Sequence, residues 1–115
     1  MAIPTGSGTE VLKLTTKDGV AGVAGHVLIT GVANHIYTVL SISITEMEGD
    51  TGKKFSIRIG DINVVFERAI NGRETFEWND RLVISGATDL SVYLHESSNA
   101  FDMTCSYIDQ DWTTP

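Results

Sequence analysis

The segment His35-Ile36-Tyr37-Thr38-Val39-Leu40-Ser41-Ile42-Ser43-Ile44-Thr45 constrains this chain more than any other stretch. It is built from β-branched, aromatic and hydroxylated side chains, which lose rotamer freedom in a helix and pack well on a pleated surface. Read at period two, it puts Ile36, Leu40, Ile42 and Ile44 on one face and Tyr37, Val39, Ser41 and Ser43 on the other. A strand this long must be paired along its length, so the chain has to supply a sheet around it.

The remaining sequence supplies candidates. Period-two patterns occur at 11–15, 26–30, 54–59, 62–66, 73–78, 81–85, 89–95 and 101–109. Phe55, Ile57 and Ile59 form one inward set, and Ile62, Val64 and Phe66 another. Met103, Cys105 and Tyr107 share a face. Turn chemistry separates the patterns at Glu48-Gly49-Asp50-Thr51-Gly52, Gly60-Asp61, Asn79-Asp80, Gly86-Ala87 and Ser97-Ser98-Asn99. The small-residue run at 19–25 reads as a loop or a loose edge strand.

Asn71-Gly72 is a two-residue hairpin signal. A tight turn there would set Phe66 opposite Glu77 and Glu67 opposite Phe76. Opposite residues share a face, so the apolar sets collide. A bulge could absorb the conflict. The preferred reading is that the two segments lie in different sheets, joined by the crossover a Greek key requires. Eight or nine short strands without a helix then predict an all-β, antiparallel β-sandwich of jelly-roll or Greek-key type.

The chain has 115 residues, enough for one core. Residues 1–10 show no packing period and read as an extended N-terminal arm, leaving 11–115 as a single sandwich domain. Within the arm, Ile3-Pro4 suits docking on a neighbour. The partner-binding candidates are Ile3, Pro4, Val11 and Trp112. Trp112 near the C-terminal end serves either as an interface anchor or as a plug on its own sheet.

The net charge of -7 argues against nucleic acid and against an anionic membrane surface as partners. No apolar run approaches the ~20 residues of a membrane helix. The N-terminus lacks the basic-then-apolar pattern of a secretory signal, so synthesis in a reducing cytoplasm is expected. The single cysteine, Cys105, excludes an internal disulfide and a thiolate zinc site.

Catalytic chemistry finds no motif. His26, His35 and His95 have no metal-ligand spacing. His95 alternates away from Leu90, Val92 and Leu94, toward solvent or a partner. No Gly-x-Ser-x-Gly elbow is present. The acidic stretches Glu46-Met47-Glu48-Gly49-Asp50 and Asp109-Gln110-Asp111 do not match an EF-hand loop and read as solvated turns. The expectation is a binding protein rather than an enzyme, with no cofactor and no metal.

Several segments resemble small virion proteins of tailed bacteriophages. These are the opening Met1-Ala2-Ile3-Pro4-Thr5-Gly6-Ser7-Gly8-Thr9-Glu10-Val11-Leu12-Lys13, the central His35-Ile36-Tyr37-Thr38-Val39-Leu40-Ser41-Ile42, the late Asp89-Leu90-Ser91-Val92-Tyr93-Leu94 and the closing Cys105-Ser106-Tyr107-Ile108-Asp109. The resemblance implies a β-sandwich on the virion exterior, made in the host bacterial cytoplasm. It implies a capsid decoration (cement) protein that binds the major capsid protein and copies of itself, as a trimer at local threefold positions. The alternatives are a neck, tail or fibre component, adhesin-like and host-binding, and a carbohydrate-binding sandwich using Trp112 or Tyr93. The family pattern brings no catalytic residues.

Overall fold

The computed structural model describes residues 9–49, 52–95 and 100–112. Nine strands form among the described residues: β1 (Thr9–Val20), β2 (Gly25–Ile29), β3 (His35–Glu46), β4 (Lys53–Ile59), β5 (Ile62–Ile70), β6 (Thr75–Trp78), β7 (Leu82–Ser85), β8 (Leu90–Leu94) and β9 (Phe101–Asp111). No helix occurs among the described residues. All strand pairs are antiparallel.

The strands make two sheets. The first runs β1-β9-β3-β6, with β7 also on β3; the second runs β2-β8-β4-β5. Because β9 covers one edge of β3, β6 and β7 share the other, β7 against Ile36–Val39 and β6 against Ile42–Thr45. Inward residues of both sheets meet in one core, with Tyr37, Val39, Ile42, Ile44, Met103 and Cys105 from the first and Phe55, Ile57, Leu90, Val92 and Leu94 from the second. Phe55 and Phe76 pack across the gap with ring centroids 5.0 Å apart.

The crossover expected at Asn71-Gly72 is present. β5 lies in the second sheet and β6 in the first. The connection is a turn in which the Glu74 amide donates to the Asn71 carbonyl at 3.1 Å. Gly72 lies against the backbone of Gly49, where a Cβ would find no room. Two loops that join the sheets therefore cross in contact, and glycine permits it.

Two face assignments differ from the period-two reading. β3 pairs with β9 up to Val39↔Tyr107 and resumes at Ser41↔Ser106, so Leu40 is a bulge residue. The extra residue inverts the pleat. Tyr37 and Val39 face the core together with Ile42 and Ile44, whereas Ile36 and Leu40 are only half-buried. On β5, Phe66 is exposed instead of inward, while Ile62 keeps the face of its partner Ile59 but is exposed at the start of the strand. There the register passes from Phe55↔Arg68 to Ile57↔Val65 across a bulge that includes Glu67 at φ 47°.

The first strand is also longer than the pattern at 11–15. Thr9 and Glu10, assigned to the arm, pair with Asp111 and Gln110, and Val20 of the small-residue run pairs with Phe101. The rest of the arm, 1–8, lies outside the described residues.

Candidate functional site

Ile3 and Pro4 lie outside the described residues. Val11 sits on β1 opposite Asp109 and is about half exposed. Trp112 follows β9, and its amide donates to the Asn34 carbonyl at 2.8 Å. Its indole Nε1 is buried without a hydrogen-bond partner. Trp112 thus packs back on its own molecule. Val11 and Trp112 lie near the same end of the first sheet, since Asn34 precedes His35 and His35 pairs with Asp111.

That end holds a charged cluster. Asp109 is buried on the inward side of β9. Its Oδ2 accepts from Lys13 Nζ at 2.8 Å, and its Oδ1 accepts from His35 Nδ1 at 2.7 Å. The cluster therefore ties β1, β9 and β3 together. Burial pushes the Asp109 carboxyl up, but the hydrogen bonds and charges of Lys13 and His35 outweigh it and hold the group below its ordinary range. The hydrogen bond to Asp109 raises Lys13. Tyr37 packs on this cluster, with its ring stacked 5.8 Å from His35 and edge-on 6.1 Å from Tyr107. Its hydroxyl accepts from the Val32 amide at 3.0 Å.

A second array lies on the outer side of the second sheet. Ser56 Oγ and His95 Nε2 are 2.8 Å apart, and Glu67 Oε1 is 3.9 Å from His95 Nδ1. The order is that of a nucleophile, a base and an orienting acid. Ser56, however, is wholly buried and accepts the Glu67 amide at 2.9 Å. No substrate atom can reach its oxygen, and a lone pair is already committed to the bulge. The array works as a clamp that holds Glu67 in its left-handed conformation. His95 is mostly covered there, with Tyr93 edge-on at 5.0 Å.

Other candidates are simpler. A shallow depression of about 360 Å³ is lined by Gly25, Gly60, Asp61, Thr88, Asp89 and Ser91. One Asp89 carboxylate oxygen already accepts the Gly31 amide at 2.8 Å. No three His, Cys, Asp or Glu side chains converge as a metal set among the described residues. Glu46, in one of the acidic stretches read as solvated, is wholly buried and its Oε1 accepts the amides of Glu48 and Gly49.

Cys105 is buried in the core, and burial pushes its thiol up to about 12. The thiolate is the reactive species. Native protein is expected to react with a chromogenic disulfide no faster than it unfolds, and urea-unfolded protein to react at once. Rapid labelling of native protein would overturn this.

The remaining feature is the outer face of the first sheet. Leu12, Ile108, Thr38 and Val83 lie in register across β1, β9, β3 and β7. Leu12 is 70% and Val83 66% exposed, with Leu14 beside them at 66%. Farther along, hydroxyls pair between strands: Ser41 with Ser106 at 2.7 Å, Ser43 with Thr104 at 2.6 Å and Thr45 with Thr75 at 2.7 Å. The face is thus apolar toward one end and hydroxylated toward the other.

Sequence reasoning missed this row, because in-register alignment depends on pairing. It also missed Asp109 and Glu46, although both carry a signal. Asp109 continues the inward series Met103, Cys105, Tyr107, and Glu46 continues Ile42, Ile44. A carboxylate at an inward position marks either a buried pair or a hydrogen-bonded loop.

No protein-family model and no curated protein sequence matches the chain. Solved structures do share its fold. One comes from a Bacillus endospore appendage, a family of disulfide-linked pili, with TM-score 0.52, 15% identity and coverage of 98% of this chain and 97% of that one. Another comes from the acid-stable capsid of Helicobacter pylori bacteriophage KHP30, with TM-score 0.60, 6% identity and coverage of 90% and 93%. At these identities the likeness is one of fold.

Proposed function

We propose that this chain is a virion structural protein of a tailed bacteriophage, and that it decorates and cements the outer capsid surface. The observation that carries the reading is the strand order. With β6 and β7 counted as one interrupted strand, each sheet has four strands. The first, last, third and sixth then form one sheet, and the second, seventh, fourth and fifth the other. That is a jelly-roll order, the architecture of many capsid domains. The likeness to the phage capsid structure over nearly the whole of both chains supports it, as does the resemblance of the opening segment.

In this reading the protein binds and does not catalyse. It is made in the host cytoplasm, joins the major capsid protein from outside, and contacts copies of itself as a trimer. Ile3, Pro4 and Val11 contribute to attachment. Many weak contacts on a symmetric lattice stabilise a shell through avidity.

The pilus-like neighbour favours a second reading, in which the chain repeats along a neck, tail or fibre. A carbohydrate-binding role gains no support, because the Trp112 indole Nε1 is buried and Arg58 covers the Tyr93 ring at 4.4 Å.

Copy number separates the readings. Quantitative densitometry of purified particles is expected to show on the order of hundreds of copies per particle, as a closed shell lattice requires. A count of about three to a few dozen, the number a ring or fibre uses, would move the protein to the tail.

A further inference from the structure

The apolar part of the first sheet's outer face lies toward the end where β1 begins. Leu12 is 70% exposed there and Leu14 66%. Ile108 stands beside Leu12 in the same row. The next row toward the end of the sheet is polar at this edge, where the Gln110 amide donates to Glu10 Oε1 at 2.9 Å. On the other side, Leu14 pairs with Ser106, the first of the hydroxyl pairs. The patch is therefore small and bounded, with room for a short apolar segment.

The chain enters the sheet at this same corner. Thr9 pairs with Asp111, and Leu12 is three residues farther on, about 10 Å along the strand. Residues 1–8, which lie outside the described residues, read Met-Ala-Ile-Pro-Thr-Gly-Ser-Gly and include no charged side chain. The apolar Met1, Ala2, Ile3 and Pro4 are separated from Thr9 by Thr5-Gly6-Ser7-Gly8, and glycine and serine are the residues of a chain reversal. With the reversal placed at Gly6–Gly8, the five residues before it reach back at most about 17 Å. That length brings Ile3 over Leu12 and Ile108. Pro4 has no amide hydrogen to offer a sheet edge, so the segment suits a face better than an added strand. A segment tethered this close meets its target at an effective concentration of about millimolar, above that of a second copy in dilute solution.

We propose that residues 1–5 fold back as a strap, with Ile3 and Pro4 seated on Leu12, Leu14 and Ile108 of the same chain. The strap covers these apolar side chains until the chain meets a partner. It is a property of the free chain and goes beyond the decoration reading. In that reading the strap opens when Ile3 and Pro4 attach to the shell.

Paramagnetic broadening in NMR spectra of the purified full chain tests it. A nitroxide is attached through A2C, because the native Cys105 is buried. The amide signals of Leu12, Leu14 and Ile108 are expected to be lost, while those of Tyr93 and Arg58 on the second sheet persist. Adding I3D to the labelled chain should restore the lost signals. L12D should restore those of Leu14 and Ile108, with circular dichroism as the check that it folds, and I3D decides if it does not. The same nitroxide chain is then mixed with an isotope-labelled chain that carries no nitroxide, and there no signal should be lost. Signals at Leu12, Leu14 and Ile108 that never broaden would overturn the proposal. Broadening that survives I3D would do the same, because it would show nearness without seating. Equal broadening in the mixture would give the segment to a neighbouring copy and overturn the strap as well. The count of copies per particle is a separate measurement, so the strap and the decoration reading can fail independently.

Discussion

Replacing Asp109 by alanine is expected to destabilise the fold by about 2 kcal/mol near neutral pH, the scale of losing hydrogen bonds to a buried charged group. The carboxylate joins Lys13 on β1 and His35 on β3 from its place on β9. These three strands are adjacent, and β9 lies between the others. The cost is held below that of breaking a fully buried pair, because Lys13 is 47% exposed and returns to water when its partner goes. Urea denaturation of the two proteins measures the difference. Equal midpoints would show that the cluster contributes nothing net.

The pH dependence of that difference follows from the shifted groups. Asp109 is held below its ordinary value of 3.8 in the folded chain. A depressed carboxyl contributes stability that is present above 3.8 and is lost as pH falls through the folded value. The gap between wild type and D109A should therefore shrink in acid. Lys13 is raised above 10.5, so its contribution is complete below 10.5 and is lost as pH rises through the folded value. The gap should shrink at that end as well. Comparing wild type with D109A cancels the other carboxylates, so a gap that stays constant into strong acid would contradict the assignment.

How much of this was legible in the chain depends on the range of the signal. Strand identity was local, so 54–59, 89–95 and 101–109 could be read from alternation alone. The crossover at Asn71-Gly72 was legible because a hairpin would have forced Phe66 opposite Glu77, a conflict visible without coordinates. The bulges were not legible. Leu40 is apolar and fits the even-numbered set perfectly, and only its missing partner on β9 reveals it. Glu67 likewise has no sequence mark of a left-handed residue. The site was still harder to read. Asp109 and Lys13 are far apart in sequence, and the Leu12–Val83 row exists only once four strands are in register. Of the residues chosen for partner binding, Val11 lies half exposed on an edge strand, and Trp112 is half-buried with its indole Nε1 covered.

The bulge at Leu40 also makes a large effect testable, because two single-residue deletions in β3 should part company. Deleting Leu40 joins Val39 to Ser41, whose partners Tyr107 and Ser106 are already consecutive on β9. The ladder becomes regular, and Tyr37 and Val39 stay inward with Ile42 and Ile44. That variant should fold and lose no more than about 1–2 kcal/mol. Deleting Ser43 removes a residue that is paired with Thr104. Either Ile44 and Glu46 then turn outward, or the bulge is consumed and Ser41 takes the place of Ile42 in the core. Ile42 and Ile44 are wholly buried, and exposing either costs roughly 1.5–3 kcal/mol. That is a large part of the ~5–15 kcal/mol that typically holds a domain folded. Circular dichroism and amide dispersion in NMR spectra distinguish the two outcomes. A Leu40 deletion that fails to fold, or a Ser43 deletion of near wild-type stability, would mean that the extra residue at Leu40 does not set the two faces of this sheet.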